Sequence, residues 1–464
     1  MSESESFKPT MQPEEKRAAF AVAGVFSTRM LGLFMIFPVF ALFAQQEFKD
    51  VTATQIGIAM GIYGLTQAFL QIPYGMLSDK YGRKPLIVAG MLIFAIGSVI
   101  CAEADSIEMM IIGRAIQGMG AVAAVLMATV ADLVSEQFRL RAMSIVGMTI
   151  GLSFTVSLVA GPVLAEWFGV RGIFWAIALL ALIGILLTIY AIPEIKHQHF
   201  QREAEADPKQ FKDVLKDKEL LRLDFGVFTL HATLTAMFVA LPIMIRDYAG
   251  MDSLHHWELY LPVMILSFVL MVPFIIQAES KGRMKQIYLG AIATIGIAQL
   301  LFMTVHNGFW AFFIIFLIFF TAFNLLEASL PSLVVKMAPA DKKGTASGIY
   351  STSQFLGAAL GGALGGYFYQ HYGYNGLFGM TATLAFLWWL FAMGMKNPLP
   401  LSIASIPLPE GVKDVQQLQQ AFLQLEGVHQ VVVIPEDQRI YFKIDRKKIN
   451  EPELLEFVTT QLTQ

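Results

Sequence analysis

Cysteine is almost missing from this chain. A single one, Cys101, stands among 464 residues, so neither a disulfide framework nor a thiolate metal site can be built. Charge is scarce too: 15% of residues are Asp, Glu, Lys or Arg, against roughly 25% in an ordinary soluble domain. No Gly-x-x-x-x-Gly-Lys-Ser/Thr loop occurs, which removes the phosphate cradle of an ATPase. The polar, acidic stretch Met1 to Arg17 lacks a small-residue cleavage pattern, so no removable signal peptide is expected. No cofactor, metal or nucleic-acid partner is expected either.

Apolar residues fill the space that charge leaves, at 56% of the chain, with 37 Phe and 37 Gly. That composition makes the lipid bilayer the solvent, because helices can face lipid on one side and pack closely on the other. Membrane-spanning strands would alternate apolar and polar residues, and these runs do not. Runs of about 20 residues or more, enough to cross as helices, fall at 18–45, 54–77, 85–103, 107–132, 140–167 and 172–192. A charged stretch, Glu194 to Arg222, interrupts, and six more runs follow at 223–247, 256–278, 286–305, 309–335, 344–370 and 376–395. The expected organisation is an N-terminal tail (1–17), a six-helix bundle (18–193), a linker (194–222), a second six-helix bundle (223–395), a short linker (396–401) and a C-terminal domain (402–464).

Short cytoplasmic loops hold the excess of Lys and Arg. Lys80, Arg83 and Lys84, then Arg139 and Arg141, the long linker, Lys281, Arg283 and Lys285, and Lys336, Lys342 and Lys343 all fall on one side. Glu103, Asp105 and Glu108, then His306 and Asn307, then Gln370 to Asn375 fall on the other. Both termini are therefore expected in the cytoplasm.

The stretch Gly75 to Pro85 joins the second and third runs as a tight, charged elbow. Gly75 permits a close crossing, Asp79 can lie against a helix N-terminus, and Gly82 permits a turn with positive φ. Arg83 and Lys84 are left to pair with acids, of which Asp132 is the nearest candidate, and such a cluster would tie the two halves together in one conformation. The elbow returns in the second half, where Pro73, Asp79, Gly82 and Arg83 find counterparts in Pro273, Glu279, Gly282 and Arg283. A second loop repeats as well, Trp167 to Phe174 matching His371 to Phe378 in both glycines and the final Phe. Six helices return each half to its starting side, so the halves should be related by an axis along the membrane normal.

Residues 402–464 suit no membrane. A strand at 402–407, a helix over Val412 to Leu425, strands at Val428 to Ile434 and Arg439 to Ile444 around Pro435-Glu436-Asp437-Gln438, and a helix from Glu451 to Leu462 give the order βαββα. That is the order of a ferredoxin-like half-open α+β sandwich.

A charge at mid-membrane costs about 2.5–3.5 kcal/mol on insertion scales, so each one needs a reason. Arg29 lies on the first helix, Arg114 on the fourth, His231 on the seventh, and Asn324 with Glu327 on the tenth. At 1.5 Å per residue, Arg29, His231 and Glu327 fall about 12–17 Å from the basic side. Asn324 and Glu327, three apart, share a helix face. Tyr63, Gln67 and Gln71 make a polar stripe on the second helix; Tyr350 and Gln354 repeat that spacing on the eleventh, ahead of Gly357, Gly361 and Gly365. The functional reading is a polar cavity with a protonatable pair, His231 and Glu327. The alternative is that these side chains only tie helices together, and the glycines read as packing.

Gly75 to Arg83, with Asp79 and Lys84, resembles the loop 2–3 signature of the major facilitator superfamily, and Arg114-Ala115-Ile116-Gln117-Gly118-Met119-Gly120 resembles its helix 4 signature. Gly161-Pro162 resembles the antiporter signature, with Ser157 four before it and Ala165-Glu166 in place of the usual glycine pair. The resemblance covers residues 15–396. It implies an all-α membrane protein of twelve helices in two pseudo-symmetric bundles, with helices 1, 4, 7 and 10 at the centre. It also implies that Asp79, Arg83 and Lys84 stabilise an outward-facing state through contacts between halves, and that Arg114 takes part in proton coupling.

The activity so implied is proton-coupled efflux of small amphiphilic molecules by antiport, in a bacterial inner membrane. Proton-coupled import is the alternative within transport, and a non-transporting sensor that signals through the C-terminal domain is the alternative outside it. That domain resembles ferredoxin-like metal-binding modules in outline only, since it has no Cys-x-x-Cys and His429 stands alone. Regulation, a small ligand or self-association are its open readings.

Overall fold

The computed structural model describes residues 11–194, 210–280, 282–305, 308–339, 342–397, 402–408, 415–434, 439–445 and 448–462. Most of the charged linker, His306-Asn307 and the Pro435 to Gln438 turn lie outside these residues.

Among the described residues, ten helices are long and apolar enough to cross a membrane. Two of them, α7 (Glu136–Leu186) and α13 (Lys343–Met393), run for 51 residues, about twice what a bilayer needs. Each contains one glycine with non-helical dihedrals, Gly169 (φ 67°) in α7 and Gly373 (φ 63°) in α13, so each is two crossings and the total is twelve. These are the paired glycines of the second repeated loop. Those of the elbow behave alike, with Gly82 at φ 96° and Gly282 at φ 63°. At all four positions the chain turns through a conformation that a Cβ would disfavour.

The first crossing is not one helix but α1 (Pro13–Phe34) and α2 (Phe40–Glu47), interrupted around Pro38, which has no amide to continue the ladder. The second and third are α3 (Ala53–Tyr81) and α4 (Arg83–Ala102). The fourth also breaks, into α5 (Ile107–Met119) and α6 (Ala123–Leu133), at Gly120, whose Cα sits against the Gly90 carbonyl. After α7 come a short α8 (Phe211–Val214) and α9 (Lys218–Ala249), which begins five residues before the expected 223. The cause is an N-cap: the Asp217 carboxylate accepts from Glu219 N at 2.8 Å and Leu220 N at 3.4 Å. Then follow α10 (Trp257–Ser280), α11 (Met284–Thr304) and α12 (Phe309–Met337) ahead of α13.

The halves meet backbone to backbone. Gly57, Gly61 and Gly64 of α3 lie against Gly362, Ala359 and Phe355 of α13, where an added Cβ would overlap main-chain oxygen. One step round α13, Gly357, Gly361 and Gly365 lie against Phe228, Ala232 and Ala236 of α9 in the same way. Small residues at four-residue steps are what permit this approach.

The C-terminal domain has β1 (Ser402–Pro407), α14 (Val415–Leu423), β2 (Val428–Ile434), β3 (Arg439–Ile444) and α15 (Glu451–Leu462). The sheet order is β1-β3-β2 and both pairings are antiparallel. Ile440, Phe442 and Ile444 of β3 enter a core with Ile406, Phe422 and Leu454. By alternation, Tyr441 and Lys443 point to the other face, which one helical layer leaves open. They are nevertheless only 9% and 8% exposed: Tyr441 packs against Val432, and Lys443 reaches the end of α12. There Lys443 Nζ donates to the carbonyls of Lys336 at 3.0 Å and Met337 at 3.3 Å. Burial, and secondarily the charge of Lys343, pushes this ammonium down to about 8, against an opposing pull from Asp217.

Candidate functional site

The polar residues expected in one cavity form two separate clusters, one in each half. In the first half Arg29, on α1, donates from Nη2 to the Tyr63 hydroxyl at 2.6 Å and to Gln67 Oε1 on α3. Arg114, on α5, donates to Gln117 Oε1 at 2.7 Å and to the Ala59 carbonyl at 3.3 Å. Gln117 in turn donates to Ser98 at 2.8 Å. Both guanidinium groups attend one aromatic ring: Arg29 lies 5.8 Å and Arg114 5.1 Å from the centroid of Tyr63. Gln71, the third residue of the stripe, instead crosses between halves and donates to Thr352 of α13 at 3.0 Å.

In the second half His231 Nε2 lies 3.7 Å from Glu327 Oε2 and 2.8 Å from the Gln354 amide. Asn324 donates to Ser267 of α10 at 2.9 Å. The side chain of Glu327 is 34% exposed, yet it lies across the helix from Ile314, which is exposed on the outer surface of α12. Glu327 therefore meets the space between the halves rather than the surrounding apolar surface.

Aromatic rings close that space on the side away from the basic loops. Phe37, beside α2, meets Phe238 of α9 at 5.6 Å, and Phe154 of α7 meets Phe320 and Phe323 of α12 at 6.1 Å each. Tyr260 links Phe238 at 6.3 Å to Phe316 at 5.8 Å. Along α9 and α12 these rings all lie beyond His231 and Glu327 as seen from the basic face, so that pair sits on the near side of an apolar seal. Gly161, next to Pro162, fits under the Met35 carbonyl at the break in the first crossing. Ser157, one turn earlier, donates to the Leu31 carbonyl at 3.3 Å.

The elbow pairs Arg83 with Asp132, the acid expected for it, and adds Asp79 as a second partner. Arg83 is 1% exposed and bridges Asp79 to Asp132, with Nε to Oδ2 of Asp132 at 2.9 Å, and it also donates to Ser78 at 2.6 Å. All of these partners belong to the first half, so these bonds fasten α3, α4 and α6 together within it. Asp79 faces Arg83 rather than a free helix end, because the four-residue step that places it one turn back also brings it within the guanidinium's reach. Lys84 is half-buried, and a Cβ added at Gly75 would meet the Ala124 side chain at an ordinary 3.7 Å, so the glycine is not needed for close approach among the described residues. In the second elbow Arg283 is exposed at the start of α11. The side chain of Glu279 lies outside the described residues.

One acidic residue escaped the sequence reading. Asp224 of α9 is 6% exposed, and its Oδ2 has no partner among the described residues. It lies two turns before His231 on the same face, within electrostatic range of Tyr350. The signal was present, a carboxylate in phase with His231, but it was hidden beside Lys218, Glu219 and Arg222 at what looked like a linker edge.

Comparison with known proteins agrees with this architecture. The profile described as Major Facilitator Superfamily matches residues 22–362 and, again, 264–432, and the profile described as YajR YAM domain matches 405–460. The chain is 44% identical over 444 residues to the inner membrane transport protein YajR of Escherichia coli (strain K12), covering 96% of this chain and 97% of that protein. It is 24% identical over 387 residues to the multidrug resistance protein MdtH of Cronobacter sakazakii, covering 80% and 93% of the two chains. Among solved structures it is similar to the human organic anion transporter MFSD10 (TETRAN), with TM-score 0.60 and 16% identity, covering 82% of this chain and all of that one. That last likeness concerns the fold.

Proposed function

The chain belongs to the Major Facilitator Superfamily of multi-pass membrane transporters, and on that premise we propose that it exports small amphiphilic molecules in exchange for protons. The halves rock around the central space, which opens to one side of the bilayer at a time. The single observation that carries this reading is the placement of Glu327, a partly wetted carboxylate 3.7 Å from His231, in a helix where an unexplained charge would be costly. Glu327 takes up and loses a proton as access alternates. Its neighbours His231 and Gln354 offer nitrogen-bearing groups whose contacts change with that proton.

Several further assignments follow from the same premise. The basic face is cytoplasmic, because Arg83, Lys84, Arg283, Lys336, Lys342 and Lys343 gather there and short cytoplasmic loops concentrate such residues. Both termini then lie in the cytoplasm of a cell whose inner membrane holds the transporter. Because the aromatic seal lies on the far side, the conformation described is the one open to the cytoplasm. Efflux is favoured over import by the likeness to a protein named for multidrug resistance. The C-terminal domain is regulatory, and what supports this is its docking on α12, the helix that carries Glu327.

The test is proton movement on adding amphiphilic compounds to proteoliposomes. Wild-type protein couples compound flux to proton flux, and Glu327→Gln loses the coupling. Intact proton-coupled flux in that variant would remove Glu327 from the mechanism.

A further inference from the structure

The first-half cluster holds an excess of positive charge that no carboxylate among the described residues neutralises. Arg29 and Arg114 are both 0% exposed. Their partners are a tyrosine hydroxyl, two glutamine carbonyls and a backbone carbonyl. Neither meets a carboxylate among the described residues. Arg83, Arg171, Arg222 and Arg246 each do, the first buried and the others partly exposed. The two most deeply buried arginines of the set are thus the two without a counter-charge.

Donors are left over as well. Arg29 Nε and Nη1, Gln67 Nε2 and Arg114 Nη2 are buried with no hydrogen-bond partner. Water could complete an orphan N–H, but water brings no negative charge, and burying an uncompensated ion costs several kcal/mol even after relaxation, by a general estimate of about that size. Four spare donors around one tyrosine ring, on two guanidinium groups that favour planar carboxylate-like acceptors, describe a receptor for an anion. An aromatic surface lies further along α1 toward the seal: Phe34 contacts Phe154 at 4.9 Å, and Phe154 faces Phe323 across the halves at 6.1 Å.

We propose that Arg29 and Arg114, with Gln67, form the anion-binding subsite of the transported molecule, and that the substrates are aromatic or otherwise amphiphilic organic anions. This rests on the reading of the chain as a transporter with a central site, and it names the class of molecule that site takes. Tyr63 holds the two guanidinium groups at a fixed separation through its ring and hydroxyl. The anionic head lies among the spare donors, and the apolar body lies along Phe34, Phe154 and Phe323. The positive subsite belongs to the first half and the Glu327–His231 pair to the second, so substrate and proton occupy different walls.

Binding to the full chain in lipid nanodiscs tests this without requiring transport. Calorimetric titration compares 1-naphthoate, 1-naphthylmethylammonium and 1-naphthylmethanol, which share a ring system and differ in charge. The expected result is that naphthoate binds tightest, and that Arg29→Met weakens it about tenfold or more, the size of one charged hydrogen bond, with the other two probes unchanged. Ligand-free Arg29→Met is also expected to melt higher than wild type, since it loses an uncompensated buried charge; an arginine with a merely structural role would melt lower. Arg29→Lys keeps the charge and retains part of the naphthoate affinity, which guards against loss through misfolding. Naphthoate binding no tighter than the ammonium probe, or unchanged in Arg29→Met, overturns the proposal. Naphthoate binding that survives while proton-coupled flux is absent would instead leave this subsite standing and remove the proton-exchange reading.

Discussion

The two elbows share a backbone and differ in what their side chains do. Gly82 and Gly282 both turn with positive φ, and an arginine follows each. Arg83 is swallowed between two carboxylates, whereas Arg283 stands in the open. At the same face the first half ends its fourth crossing near Asp132, and the second half ends its tenth near Lys336. One end is fastened from within by an ion network, and the other is fastened from outside by Lys443 of an added domain. Duplication thus preserved the turn and left each copy to find its own way of holding its helix ends.

This contrast can be broken or sharpened. The largest effect is expected from Arg83→Ala, which removes the cation buried between Asp79 and Asp132 and should cost about 3–5 kcal/mol, read as a lower melting temperature of the purified protein. Next, Lys443→Glu puts a carboxylate against the negative end of α12 and should cost the docked state about 1.5–3 kcal/mol. Faster amide exchange in β3 and at the end of α12 would report it. Gly82→Ala and Gly282→Ala should each cost about 1–2 kcal/mol. Equal losses would show that the turn is the shared element, and unequal ones that the ion network imposes the first turn.

A subtler difference lies in pH. The Lys443 ammonium sits at about 8 when docked and at the usual 10.5 when free. The docked form therefore holds fewer protons between those values, and docking should tighten as pH rises through that window. Exchange protection of β3 measured at both ends of the window checks this, and Lys443→Met should flatten the dependence. The smallest effect belongs to Arg283→Ala, expected within about 0.5 kcal/mol of wild type; a loss matching that of Arg83→Ala would erase the contrast altogether.

Much of the fold could be read from the chain because bilayer length and glycine geometry are local constraints. The repeated glycines at 82 and 282 and at 169 and 373 need no partner to specify a turn. The βαββα order of the last domain follows from alternation within short segments. Contacts between distant segments were harder to foresee. The break at Pro38 lies inside a stretch, Met30 to Ala44, that is apolar throughout. The second glycine row of α13, at Gly362 and Gly366, becomes meaningful only once α3 is known to lie beside it. Arg29 and Arg114 could be picked out singly as buried charges, but that they share Tyr63 and meet no carboxylate among the described residues is a fact of three helices brought together. Lys443 falls on the solvent side of its sheet by alternation, and only the end of α12 makes that side an interior.

Helix α13 belongs to the second half by sequence, yet it presents bare main chain to both of its neighbours, α9 within its half and α3 across the divide. A joint of this kind carries few rotamers that must be reset when one body tilts against the other. In the rocking proposed above, the pivot would therefore turn with little friction, and the resistance to opening would come from the aromatic rings at the sealed end.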